Sequence, residues 1–114
     1  QSAINEEFNL LHHYEITRMR WTMTVNTSHG ARNEEPHRDI DYPHKVILFY
    51  LNDSDGDTLL YDNIDHGMII DSNSPEENTA IFFDGANYHS GTKPMEYARR
   101  IVLNINLMKY EEIV

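Results

Sequence analysis

Two patterns of apolar residues run along this chain, and both are strand patterns. In "RMRWTMTVNT", residues 18–27, Met19, Trp21, Met23 and Val25 fall on one side and Arg20, Thr22 and Thr24 on the other, a period of two. "KVILFYLND", residues 45–53, is apolar at successive positions, as a strand buried on both faces would be. "SDGD" (54–57) carries Asp-Gly turn chemistry, and "TLLYD" (58–62) reads as the return strand. "GMIID" (67–71), "TAIFFDG" (79–85) and "RRIVLNINLMKY" (99–110) read as further strands, with "NSPEEN" (72–77) as a polar loop. Only residues 4–13, with Ile4, Phe8, Leu10 and Leu11, carry a helical spacing, and it is short. Six or seven short strands separated by turns predict an all-β sandwich or barrel.

Composition narrows the setting. A chain of 114 residues suits one small domain with a single core, here expected over 1–114. Apolar residues make up 39%, enough in patterned runs to favour a folded chain over a disordered one. The formal charge of −10 repels phosphate backbones and anionic membranes, so neither a nucleic acid nor a membrane is the expected partner. With no cysteine, disulfides, thiolate metal sites and cysteine nucleophiles are excluded. No apolar run approaches the ~20 residues of a membrane span. "QSAINEEFNLLHHYE" has neither the basic start nor the apolar core of a signal peptide. A soluble, cytoplasmic protein is the expectation. The missing initiator methionine fits a processed chain or a piece of a longer one.

The candidate chemistry begins at "EEPHRDIDYPHK", residues 34–45. Without sulfur, a metal site must use imidazole and carboxylate. Two histidines and one carboxylate on one face of a divalent ion leave positions open for other ligands, as in non-haem Fe(II) oxygenases. On an extended backbone His37 and Asp39 point the same way and Arg38 the opposite way. His89, after "AIFFDGANYH", is the best third ligand, 52 residues beyond His37. Arg100 stands 11 residues further on, opening the last strand.

The ordered set His37-x-Asp39, His89 and an arginine heading "RRIVLNI" resembles the Fe(II)- and 2-oxoglutarate-dependent dioxygenases, in particular the prolyl-4-hydroxylase-like branch and its short phage and bacterial forms. "ILFYLND" with "DGDTLLY" resembles the strand–turn–strand after the HxD there, and "AIFFDGANYHSG" the segment bearing the second histidine. The likeness spans roughly residues 35–107. It implies a double-stranded β-helix of the jelly-roll or cupin kind, minimal or lacking part of its N-terminus, since only 36 residues precede His37. An oligomer that covers an exposed sheet is the other way to complete such a domain. It implies Fe(II) on His37, Asp39 and His89, with O2 and 2-oxoglutarate as cosubstrates. Decarboxylation of 2-oxoglutarate to succinate would then be coupled to hydroxylation of a peptide, a protein side chain or a small metabolite. The cosubstrate's far carboxylate would meet an arginine, whose planar fork pairs two oxygens. Arg99 and Arg100 are both candidates, and period two lets one face inward. If Arg100 does, Val102, Asn104 and Asn106 do too; the family pattern of arginine four residues before a small polar residue favours Arg100. Tyr50 matches a position whose hydroxyl reaches the same carboxylate, and Leu59 would be a neighbouring apolar wall.

Other readings compete. His12, His13, His29, His44 and His66 are expected at the surface or in loops. "DSDGDT" (53–58) has alternating acids, but an EF-hand needs glycine sixth and glutamate twelfth, where Thr58 and Ile64 stand, so a hairpin turn accounts for it. "NTS" (26–28) fits a glycosylation triplet that a cytoplasmic chain would not use. A non-catalytic cupin-like module holding a metal or a carboxylate is the alternative to an enzyme. A nucleic-acid demethylase of the same superfamily fits the charge poorly, with no basic stripe beyond Lys93, Arg99 and Arg100. Loops 28–36, 40–45 and 86–96 would set the substrate.

Overall fold

The computed structural model describes residues 13–27, 34–62 and 68–109. The described chain is all-β, as expected, and forms two antiparallel sheets consistent with a β-sandwich. The strands are β1 Tyr14–Val25, β2 Lys45–Tyr50, β3 Thr58–Tyr61, β4 Ile69–Asn73, β5 Thr79–Asp84, β6 His89–Gly91 and β7 Arg99–Lys109. One sheet runs β1-β7-β2-β5 and the other β4-β3-β6. No helix among the described residues is long and apolar enough to cross a membrane. Apart from His13, the helical turn expected over 4–13 lies outside the described residues.

Most strands fall where period two put them, and the differences have local causes. β1 begins at Tyr14, four residues before the alternation in "RMRWTMTV", because a bulge at Thr17 breaks the register between Ile16↔Leu107 and Arg18↔Asn106. A bulge inserts one unpaired residue, which hides the first half of the strand from a period-two reading. β6 was not expected as a strand, since "HSG" has no apolar residue to signal it. It is placed by backbone pairing of Thr58, Leu59 and Leu60 with Gly91, Ser90 and His89.

The core lies between the sheets, on Val46, Leu48 and Tyr50 of β2, Phe83 of β5 and Val102 of β7. Burial along β7 alternates from Arg100 to Asn106, with positions 100, 102, 104 and 106 turned inward. β1 has the opposite sense from an ordinary half-buried strand. Met19, Trp21 and Met23 are 55%, 60% and 60% exposed on the outer side of the sheet, while Arg20 and Thr22 line the interior cleft. The inner side is polar because it faces a cleft rather than the packed core. Across the outer side, register lines up Trp21, Leu103 and Phe49 in one row and Met19, Ile105 and Ile47 in another, with the β7 residue in the middle of each. β2 is therefore buried on its inner face and only partly on its outer one, since Phe49 is half-buried.

The acidic turn 53–57 is not the hairpin expected, because β2 and β3 pair in different sheets; it crosses between them and ties loops together. Asp55 accepts the backbone N–H groups of Met95 and Glu96 at 2.9 and 3.0 Å. Asp53 accepts the N–H of Glu77 at 2.8 Å, and Asp57 the Ser74 hydroxyl at 2.7 Å. Gly56 is required at the centre, because a Cβ there would lie 2.6 Å from the Thr92 carbonyl oxygen and 3.0 Å from Arg100 Cδ. The first clash is with backbone, which cannot swing away. Gly56→Ala is therefore expected to cost about 1–3 kcal/mol, the range for overpacking, and to lower the melting temperature by roughly 4–8 °C per kcal/mol. An unchanged thermal unfolding curve would contradict this close approach.

Candidate metal centre

Two remote histidines are joined here by their own backbones. His37 and His89 exchange both N–H···O bonds at 2.9 Å, forming an antiparallel bridge beside β6. Glu34 N donates to the Gly91 carbonyl at 3.0 Å and continues the same contact. Pairing sets the two imidazoles side by side, with ring centroids 4.5 Å apart. Phe83 packs edge-on against His89 at 5.1 Å. His37 Nδ1 lies 3.2 Å from the Glu35 carbonyl oxygen, which selects the Nδ1–H tautomer and leaves Nε2 as the ligand atom.

Asp39 follows His37 by two residues and turns to the same side. Its Oδ1 lies 3.5 Å from His37 Nε2 and 3.4 Å from His89 Nε2. The carboxylate side chain is 1% exposed, yet Oδ1 has no hydrogen-bond partner. Oδ2, in contrast, accepts from Asn104 Nδ2 at 3.0 Å and Asn106 Nδ2 at 2.9 Å. Burial alone would push the Asp39 carboxyl up. The two imidazoles and the Asn106 amide outweigh it and hold the group well below the ordinary carboxylate range. Asp39 is therefore an anion, and its bare oxygen faces the same point as two imidazole nitrogens. The three ligand atoms lie within 4.8 Å of one another, the only such cluster among the described residues. An orphaned buried anionic oxygen next to two nitrogen donors fits a divalent cation of the kind bound by mixed imidazole and carboxylate.

The same cleft is lined by Glu34, His37, His89, Leu48, Thr58, Val102, Asn104 and Arg100. Arg100 is 5% exposed, whereas Arg99 lies in the solvent. Its Nε donates to the Gly56 carbonyl at 2.7 Å and its Nη2 to Thr58 Oγ1 at 2.8 Å. It forms no ion pair with a carboxylate among the described residues. Burial lowers its pKa, and Tyr50, Glu34 and Asp57 oppose that, Glu34 from the wall of the same cleft. Gly91 abuts the guanidinium, since a Cβ there would be 3.1 Å from Nη1. Tyr50 is fully buried, and its hydroxyl shares a 2.8 Å hydrogen bond with Thr58 Oγ1. Whichever hydroxyl donates, the other keeps a proton for an incoming acceptor.

Of the residues expected at the site, His37, Asp39 and His89 come together, and Arg100 and Tyr50 meet at Thr58. Leu59 is buried at 8% but is not part of the cleft wall. Neighbouring strand residues face opposite ways, and Thr58 takes the inward position. Thr58 carries no signal in the sequence, and Asn104 and Asn106 carry an inward parity with Arg100 but no sign of their contact with Asp39. Polar side chains at core parity in "VLNINL" were the available signal, because buried amides demand partners. His44 occupies a loop, as expected, but is 3% exposed rather than at the surface. Its ring fills the space where Gly85 lacks a side chain.

No protein-family model matches the chain, and no curated protein does either.

Asp39 and burial act on His37 as well. The Asp39 contact raises the His37 pKa above 6.5, burial working against it. In the metal-free protein this raised value stabilises the fold fully below pH 6.5, a contribution lost as pH rises through the folded pKa. A cation must displace that proton. Co(II) affinity is therefore expected to be flat at high pH and to fall roughly tenfold per pH unit below a break lying above the ordinary histidine value. Titrations between about pH 5 and 8 check this. A break below the ordinary value would show that Asp39 does not act on His37.

Proposed function

We propose that this chain is a non-haem Fe(II) oxygenase that couples 2-oxoglutarate decarboxylation to hydroxylation of a peptide, a protein side chain or a small metabolite. The observation that carries the proposal is a buried arginine that, among the described residues, makes no direct ion pair, in one cleft with a cluster of two imidazoles and one carboxylate. A buried cation whose nearest anions, Glu34 among them, make no direct ion pair with it is only partly compensated, and an anionic ligand adds to that compensation. The spare guanidinium N–H and the spare hydroxyl proton of the Tyr50–Thr58 pair suit a carboxylate. A cosubstrate with one carboxylate at Arg100 and a chelating group at the metal would span the cleft between them.

The topology supports a double-stranded β-helix. Its two sheets have the orders β1-β7-β2-β5 and β4-β3-β6. His89 pairs with Leu60 on one side and His37 on the other, so the bridge adds a rudimentary fourth member to the smaller sheet.

His37, Asp39 and His89 would hold Fe(II), which supplies O2 activation when bound. The chain's own residues do the rest. Asp39 and the imidazoles provide three donors and leave the remaining positions open. Arg100, Thr58 and Tyr50 orient the cosubstrate. Leu48 and Val102 form the apolar wall that keeps water from the reacting centre.

Succinate formation that requires both Fe(II) and 2-oxoglutarate tests the proposal. Arg100→Ala is expected to weaken 2-oxoglutarate affinity by about 30-fold or more, the usual consequence of removing one partner of a buried charge contact, while Co(II) affinity stays within a few-fold of the parent. Metal and carboxylate binding with no succinate under any condition would favour the non-catalytic binding module instead. Normal turnover in Arg100→Ala would remove the arginine from its assigned role.

A further inference from the structure

The Asp39 carboxylate is held asymmetrically, and residues from a different strand hold it. Asn104 and Asn106 lie two apart on β7, so both project to the inner face. Each donates its Nδ2–H to the same oxygen, Asp39 Oδ2, at 3.0 and 2.9 Å. Asn106 also donates to Asn104 Oδ1 at 3.3 Å, which fixes the orientation of the Asn104 amide. Asn106 is 1% exposed and Asn104 8%, so neither hydrogen bond competes with bulk water. Two N–H donors fill the lone-pair directions of Oδ2. Oδ1 is left bare and aimed between the imidazoles.

Resting on the metal-centre reading above, we infer that Asn104 and Asn106 are positioning residues that make Asp39 a one-oxygen ligand. By occupying Oδ2 they prevent the carboxylate from rotating to give a second ligand atom, which would close one of the open positions. They also fix the carboxylate's orientation before the cation arrives, so binding requires no carboxylate reorganisation. β7 thus contributes twice to the cleft: Arg100 at one end, and at the other the pair of amides that aims the ligand.

Co(II) titration followed by visible absorption tests this in Asn104→Leu and Asn106→Leu, which keep side-chain volume and remove the donor. Each is expected to weaken Co(II) binding by about 10- to 100-fold, as loss of a ligand's outer hydrogen bond commonly does. The Co(II) ligand-field bands should also change in energy and intensity. A merely structural role for the amides would lower thermal stability and leave those bands alone. Should Asn106→Leu fail to fold, Asn104→Leu, at the cleft wall, carries the test, with far-ultraviolet circular dichroism as the check on folding. Parent-like affinity and spectrum in a folded Asn104→Leu would overturn the inference alone, provided that His89→Ala abolishes binding. A parent protein that binds no Co(II) would overturn the inference and the metal reading together.

Discussion

A carboxylate with one oxygen saturated and the other bare is the constraint from which the site follows. Asp39 Oδ2 accepts two amide N–H groups while Oδ1, equally buried, accepts none. Such an anion is expensive to bury without compensation. The flanking imidazoles compensate in part when His37 is protonated, and a divalent cation would do so more fully. Backbone pairing gathers the partners of this group: the His37–His89 bridge sets the two imidazoles side by side, and β7, between β1 and β2, brings the amides that hold Asp39 itself.

The arrangement of the larger sheet follows from the need for a polar interior. β7 presents Arg100, Asn104 and Asn106 inward with only Val102 between them, and β1 presents Arg20 and Thr22. These strands consequently display their apolar side chains, Trp21 and Met19 among them, on the outside. Core packing falls to β2 and β5, where Val46, Leu48, Tyr50 and Phe83 meet Val102. The sheet thus divides its inner face into a packed half and a cleft half, and His37 and His89 line the cleft.

Much of this was legible in the sequence because period two states parity. Arg100, Val102, Asn104 and Asn106 had to share a face, and so did Val46, Leu48 and Tyr50; both groups do. The triad was legible because His37 and Asp39 are two apart on extended chain and His89 follows an apolar strand. Parity does not state which face is the interior, so the outward turn of Met19 and Trp21 was not readable. Nor does it survive a bulge, which is why β1 starts earlier than its alternation. Leu59 lies one residue from Thr58, which lines the cleft, and one residue is the smallest slip that moves a side chain to the other face. The pairing of Asn104 and Asn106 with Asp39 spans 65 and 67 residues and has no local signature.

The most direct test of the account is a crystal structure of the protein soaked with Zn(II), a redox-silent stand-in for Fe(II), with the ion located by its anomalous scattering. A single strong peak is expected about 2.0–2.2 Å from His37 Nε2, His89 Nε2 and one Asp39 oxygen, with the other oxygen still bonded to Asn104 and Asn106. Zinc bound elsewhere, or an empty cluster in a crystal saturated with the ion, would contradict it.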